Sequence, residues 1–173
     1  NIFVIFFVFL FGLTFISATC SLGANPLTLN VGAKPGQEVV GTWNLYNLYG
    51  DRITHTSINK IQGPDWKIKY DPELHKANYE VSGEIQIIEE NVALEKSEVV
   101  LEIPKDPPKG TSYVKHPSQE GYIPVKPVKI YITIPQDAKI GQNYKFVFEA
   151  QGNCFSDPGA AIPGIATQLE FNV

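Results

Sequence analysis

Residues 128–154 read VKIYITIPQDAKIGQNYKFVFEAQGNC. Val128, Ile130, Ile132 and Ile134 alternate with Lys129, Tyr131 and Thr133. Tyr144, Phe146, Phe148 and Ala150 then alternate with Lys145, Val147, Glu149 and Gln151. Period-two alternation rich in β-branched and aromatic residues marks half-buried antiparallel strands. Pro135, Asp137 and Gly141 between them carry turn chemistry. This stretch sets the class as all-β and assigns no activity.

Upstream, the same reading gives a strand around Leu27, Leu29 and Val31, a turn at Pro35-Gly36 and a long strand over Glu38–Tyr49. Gly50-Asp51 turns the chain into a return strand over Arg52–Ile61. Gly63-Pro64-Asp65 precedes a strand with Trp66, Ile68 and Tyr70 in phase. Asp71–Ala77 suits one turn of helix limited by Pro72. Two more strands are expected over Tyr79–Glu89 and Glu98–Ile103, joined by a polar link at Glu90–Ser97. Asn153–Gly164 reads as a loop, and Ile165–Val173 as the closing strand. About eight or nine strands and no amphipathic helix suggest a two-sheet sandwich.

Pro104–Pro127 differs, with six prolines among lysines, glycines and two tyrosines. Proline removes ladder donors, which excludes a central strand and makes this a surface excursion. Long loops within compact domains are usually functional or disordered, and exposed aromatics on them build binding surfaces. Tyr113, Tyr122, Lys105, Lys109, Lys115 and Lys126 are therefore the candidate partner contacts. The partner is expected to be a protein or an acidic envelope polymer, and the fold is not expected to need the excursion.

The first sixteen residues, NIFVIFFVFLFGLTFI, are almost wholly apolar, and no charge precedes Lys34. Such a run before Ser17 and Ala18 reads as an apolar helix, either the core of a secretory signal cut after Ala18 or a membrane anchor. A buried core helix is the bland alternative. The expected division is 1–19 as signal core or anchor and 20–173 as the sandwich, with its excursion at 104–127. Both leading options place the domain outside the cytoplasm, at the cell surface or beyond. The membrane is met only through the apolar run.

Cys20 and Cys154 are the only cysteines. Export favours one disulfide between them, against a lipidated Cys20 or two free thiols. The net charge of −4 gives no basic footprint for nucleic acid. Asn47, His55 and Cys154 loosely echo a copper site, but no second imidazole follows Cys154 and the chain has no Met. His75 and His116 lack zinc spacing. Asp51, Asp71, Asp106 and Asp157 form no EF-hand pattern, which leaves calcium open. Glu89-Glu90 reads as a solvated strand-end pair. Trp43 and Trp66 fall in phase with apolar neighbours and read as core rather than sugar platforms. No metal, cofactor or catalytic motif is expected.

Pro35-Gly36 before a strand, Asn47–Asp51 at a strand end, Gly63–Trp66, and Ile134–Gly141 followed by Tyr144–Ala150 together resemble the Ig-like β-sandwich modules of prokaryotic, especially archaeal, cell-surface proteins. The likeness covers most of residues 26–152 and lies in turns and core aromatics. It implies a non-enzymatic exported module that acts by binding or as envelope structure. A filament subunit, self-associating through a retained apolar N-terminus or a donated strand, is one alternative. A sugar- or metal-binding sandwich is another.

Overall fold

The computed structural model describes residues 20–50, 52–81, 83–155 and 157–173. The apolar run at 1–19, and the helix expected there, lie outside them. The strands are β1 (Cys20–Asn25), β2 (Thr28–Gly32), β3 (Glu38–Gly50), β4 (Ile53–Gln62), β5 (Lys67–Asp71) and β6 (His75–Val81). They continue as β7 (Glu84–Glu90), β8 (Val92–Leu94), β9 (Ser112–Lys115), β10 (Tyr122–Thr133), β11 (Asn143–Cys154) and β12 (Asp157–Asn172). Among the described residues twelve strands thus replace the eight or nine expected.

Two five-stranded sheets form an all-β sandwich. One runs β1-β3-β10-β5, with β9 also on β10; the other runs β2-β12-β11-β4-β8. β1 is antiparallel to β3, whereas β2 is parallel to β12. The chain therefore crosses from one sheet to the other at Pro26-Leu27, through a cis Asn25–Pro26 bond. The inward rows anticipated from alternation meet here. Ile130, Ile132, Ile134, Phe146 and Phe148 are fully buried, together with Trp43, Leu45 and Leu169. Phe146 stacks near Phe148 with ring centroids 6.2 Å apart and meets Phe171 edge-on at 5.6 Å. Trp66 closes one margin against Tyr144 and Phe146. Both tryptophans thus pack as core rather than stand as platforms.

Cys20 and Cys154 form a disulfide, with Cα atoms 5.9 Å apart. The bond joins β1 of one sheet to β11 of the other and is itself buried.

Several sequence expectations need correction. Tyr79–Glu89 is a hairpin rather than one strand, because Gly83 takes a positive φ of 83° that other residues resist. No helical turn forms over Asp71–Ala77, where β6 begins at His75. The polar link at Glu90–Ser97 contains β8, which pairs with β4. Glu98–Ile103 is no strand; only Val100 bridges Tyr122, while Val99, Leu101 and Ile103 are exposed. The expected loop after Asn153 holds the first half of β12, which pairs back on β11.

Candidate functional site

The proline-rich segment is ordered by pairing at its far end. β9 and the start of β10 form an antiparallel ladder, Ser112 opposite Val125 and Lys115 opposite Tyr122. Directly opposed residues share a face. Tyr113, Lys115, Tyr122 and Pro124 therefore stand on one side, and Val114, Ile123 and Val125 on the other. Ile123 and Val125 are buried at 0% and 2% exposure. The expectation that the fold can spare the excursion fails at these two core residues.

The excluded central strand is also present, since β10 lies between β3 and the β5/β9 flank with two prolines inside it. Its inward phase shifts from Ile123 and Val125 to Val128, Ile130 and Ile132, with Lys126 and Pro127 half-buried between. Such a break in phase is where sheets tolerate proline. On one flank β10 pairs β9 through Tyr122–Val125 and β5 through Lys129–Thr133, so Pro127 falls in the gap. On the other flank the β3 ladder stops at Leu45–Lys126. Ser97 fills the space beyond. Its N–H donates to the Asn47 carbonyl at 2.6 Å. Its hydroxyl accepts from the Asn47 N–H at 3.4 Å and donates to the Pro124 carbonyl at 3.1 Å.

This divergence opens a groove of about 320 Å³. Leu45, Leu94 and Val125 lie buried beneath it, Tyr46, Tyr113, Pro108 and Pro124 give it aromatic and proline surface, and Glu95, Lys96 and Lys126 supply both signs of charge. Lys126 donates to the Thr111 hydroxyl at 3.2 Å, which fixes its stem beside Tyr113. Burial raises the Tyr46 pKa, so the phenol stays a neutral donor well into the alkaline range.

The gap at Pro127 opens a second cleft of about 500 Å³, lined by Asp71, His75, Glu90, Lys126 and Lys129. Glu90 corrects the solvated-pair reading: Glu89 is exposed, but Glu90 is 3% exposed. Tyr79 donates to Glu90 Oε1 at 2.5 Å, and His75 Nε2 lies 4.0 Å from the same oxygen. Glu90 Oε2 has no hydrogen-bond partner among the described residues. Arg52 stands 5.5 Å from the Tyr79 ring centroid and 5.9 Å from that of Phe155, and it pairs with Glu95. Desolvation, then the hydrogen bond to Glu90, pushes the Tyr79 pKa up to about 12. The Glu95 pairing raises the Arg52 pKa, against burial.

The predicted contacts divide. Tyr113 and Lys126 line the first groove. Lys115 and Tyr122 sit beside it on the β9–β10 face. Lys105 and Lys109 are exposed on the irregular segment before β9 and line neither opening. Tyr46, Lys96, Pro108 and the Arg52–Tyr79–Glu90 cluster were not singled out. Tyr46 alternates with buried Leu45 on a strand whose inward phase was legible, so its outward placement was the available signal. Among the described residues no group of three His, Cys, Asp or Glu side chains could hold a metal. His116 serves its own turn, its Nδ1 accepting from the Ser118 and Gln119 N–H groups at 3.1 Å each. The disulfide removes Cys154 as a copper thiolate, and the side chains of His55, Asp51 and Asp157 lie outside the described residues.

No family model matches this chain, and no curated protein matches it. Solved structures give distant likenesses. PapD-like domain 7 of human CEP192 shares 10% identity over 87% of this chain and 83% of that one, with a TM-score of 0.44. A family 123 glycoside hydrolase from Clostridium perfringens shares 12% identity over 90% of this chain and 27% of that one, with a TM-score of 0.45. The sixth cohesin of scaffoldin B from Acetivibrio cellulolyticus, in complex with a mutant dockerin, shares 12% identity over 89% of this chain and 98% of that one, with a TM-score of 0.33.

Proposed function

We propose that this chain is a non-enzymatic, exported binding module that grips an extended segment of a protein partner. The observation that carries this reading is the groove between β3, the β8–Ser97 run and the β9–β10 ladder. It presents two tyrosines and two prolines above a buried apolar floor, and its charged groups are of both signs. Such a groove suits one aliphatic or proline side chain seated between the tyrosines, with the partner's backbone bonded at the margin. A groove bearing both signs of charge selects a peptide over a uniformly acidic polymer. Export is supported by the disulfide, which persists in oxidising compartments, and by the resemblance to surface modules.

The test is attachment of the purified protein to the envelope fraction of its own cells, with N-terminal sequencing of the native form. Tyr113→Ala and Lys126→Ala are expected to weaken attachment by about tenfold each, as anchors of a contact do. Lys105→Ala, outside the groove, should leave it unchanged. Loss with Lys105→Ala but not with Tyr113→Ala would overturn the reading. A cytoplasmic native form would overturn the export.

A further inference from the structure

Beyond that groove, β6 carries a second contact surface. It pairs with β7 and with no other strand among the described residues, so the two form a separate two-stranded sheet. One edge of β6 therefore presents backbone donors and acceptors without a ladder. Lys76, Asn78 and Glu80 are exposed. They share the outward face with Glu89, Ile87 and Ile85, their partners across the hairpin. The inward face holds Ala77 and Tyr79, the latter tied to Glu90 and Arg52.

We propose that two copies of this chain associate edge to edge through β6, antiparallel about a two-fold axis at Asn78. The sequence of β6, HKANYEV, is complementary to its own reverse in that register. Lys76 stands opposite Glu80 of the partner subunit, and Glu80 opposite Lys76 of the partner subunit. Asn78 meets the partner subunit's Asn78 on the axis, where two amides donate and accept reciprocally. Ala77 opposes the partner subunit's Tyr79, small against large.

Other registers lose these pairs: centred on Ala77 or on Tyr79, Lys76 or Glu80 meets only Asn78 of the partner subunit. A shift of the axis to Glu80 sets carboxylate against carboxylate, and a shift to Lys76 sets ammonium against ammonium. A slip by one residue turns the outward face of one copy against the inward face of the other. An edge lysine ordinarily deters a second strand. Lys76 already lies 3.6 Å from Glu89 across its own hairpin; this register adds a second carboxylate from the partner subunit, so the same residue becomes a selector for the self-complementary edge. The contact is isologous and closes at two copies, giving a continuous four-stranded sheet rather than a fibre.

The test uses the full chain carrying Asn78→Cys. In the antiparallel register the two Cα atoms on the axis lie about 4.5–5.5 Å apart, within the span a disulfide bridges after mild oxidation. Asn78→Cys should give a cross-linked dimer, and Ile140→Cys, exposed on a distant turn, should not. Added Lys76→Glu, or added Glu80→Lys, should each cut the dimer yield about tenfold. Both reversals together exchange the charges within each pair and should restore the yield. Equal melting temperatures across the series exclude misfolding as the cause. Equal cross-linking at Asn78→Cys and Ile140→Cys would overturn the proposal, as would a yield indifferent to the single reversals. So would a double reversal that fails to recover.

Discussion

The Ser97 hydroxyl donates to the carbonyl of Pro124 at 3.1 Å, across the point where β3 and β10 part. One small side chain thus serves a strand whose proline has no N–H to return to a neighbouring ladder. Ser97 is 6% exposed, so this bond is largely shielded from solvent beneath the groove.

Ser97→Ala should therefore destabilise the domain by about 1–3 kcal/mol, the range for removing one partner of a buried hydrogen bond. Ser97→Thr keeps the hydroxyl on a β-branched side chain, and should fall between alanine and wild type. Denaturant midpoints measure both. A Ser97→Ala protein as stable as wild type would show that solvent replaces the bond.

Reduction of Cys20–Cys154 should lower stability by about 2–5 kcal/mol, because the bond closes most of the chain into one loop. The sequence separation is 134 residues. Cys20→Ser with Cys154→Ser, melted beside the reduced wild type, gives the value. Thiol labelling of the native protein should find no free thiol until it is unfolded with reductant.

On β11, adjacent residues should differ sharply. Phe146 is fully buried between Trp66, Phe148 and Phe171, so Phe146→Ala should cost about 3–5 kcal/mol. Lys145 is exposed, so Lys145→Ala should stay within about 0.5 kcal/mol of wild type. Equal losses in urea melts would contradict the strand phase.

The proline-rich region should split in the same way. Ile123→Ala, from a fully buried position, should cost about 2–5 kcal/mol. Leu101→Ala, 76% exposed, should change stability by less than about 0.5 kcal/mol. A short Gly-Ser replacement of residues 101–107 should fold, whereas one extending through Val125 should not. Circular dichroism melts separate the two.

Tyr79 should report on alkaline stability. Its pKa is raised from 10.0 to about 12 in the fold, chiefly by desolvation and then by its bond to Glu90. The folded state thus holds the phenolic proton more tightly than the unfolded chain. The stability linked to it is complete below the ordinary value and is lost as pH climbs through the raised one. Between about pH 10 and about pH 12 wild type should lose stability more steeply than Tyr79→Phe. Parallel slopes would remove Tyr79 from the account.

The sequence was most legible where local pattern and burial agree. Ile130, Ile132, Phe146 and Phe148 alternate in the chain and lie inward in the fold. It misled where a partner elsewhere decides the outcome. Glu98–Ile103 alternates as well as many strands do, yet only Val100 finds a bridge, to Tyr122. Pro124 and Pro127 argued against a central strand. They are admitted by a distant serine, a gap between β9 and β5, and a break of phase, none of which is local. Tyr113 and Lys126 could be named because aromatic and cationic residues stand out among prolines. Glu90 could not be placed, since its burial depends on the hairpin folding Tyr79 over it. β8 is three residues long and carries too little pattern to be read.

The inter-sheet disulfide also has a mechanical meaning. Tension applied between Cys20 and Val173 passes through the sulfur bond to Cys154 and then along the axis of β12. β12 is held on one side by β11 and on the other by the parallel β2. A pull along the strand axis loads those ladders together in shear rather than opening them one bond at a time. Until the sulfur bond breaks, only residues 155–173 can be drawn out, which limits the extension of the domain to about 65 Å. Everything between the two cysteines stays folded behind a covalent stop, so the domain acts as a tether of fixed maximum length.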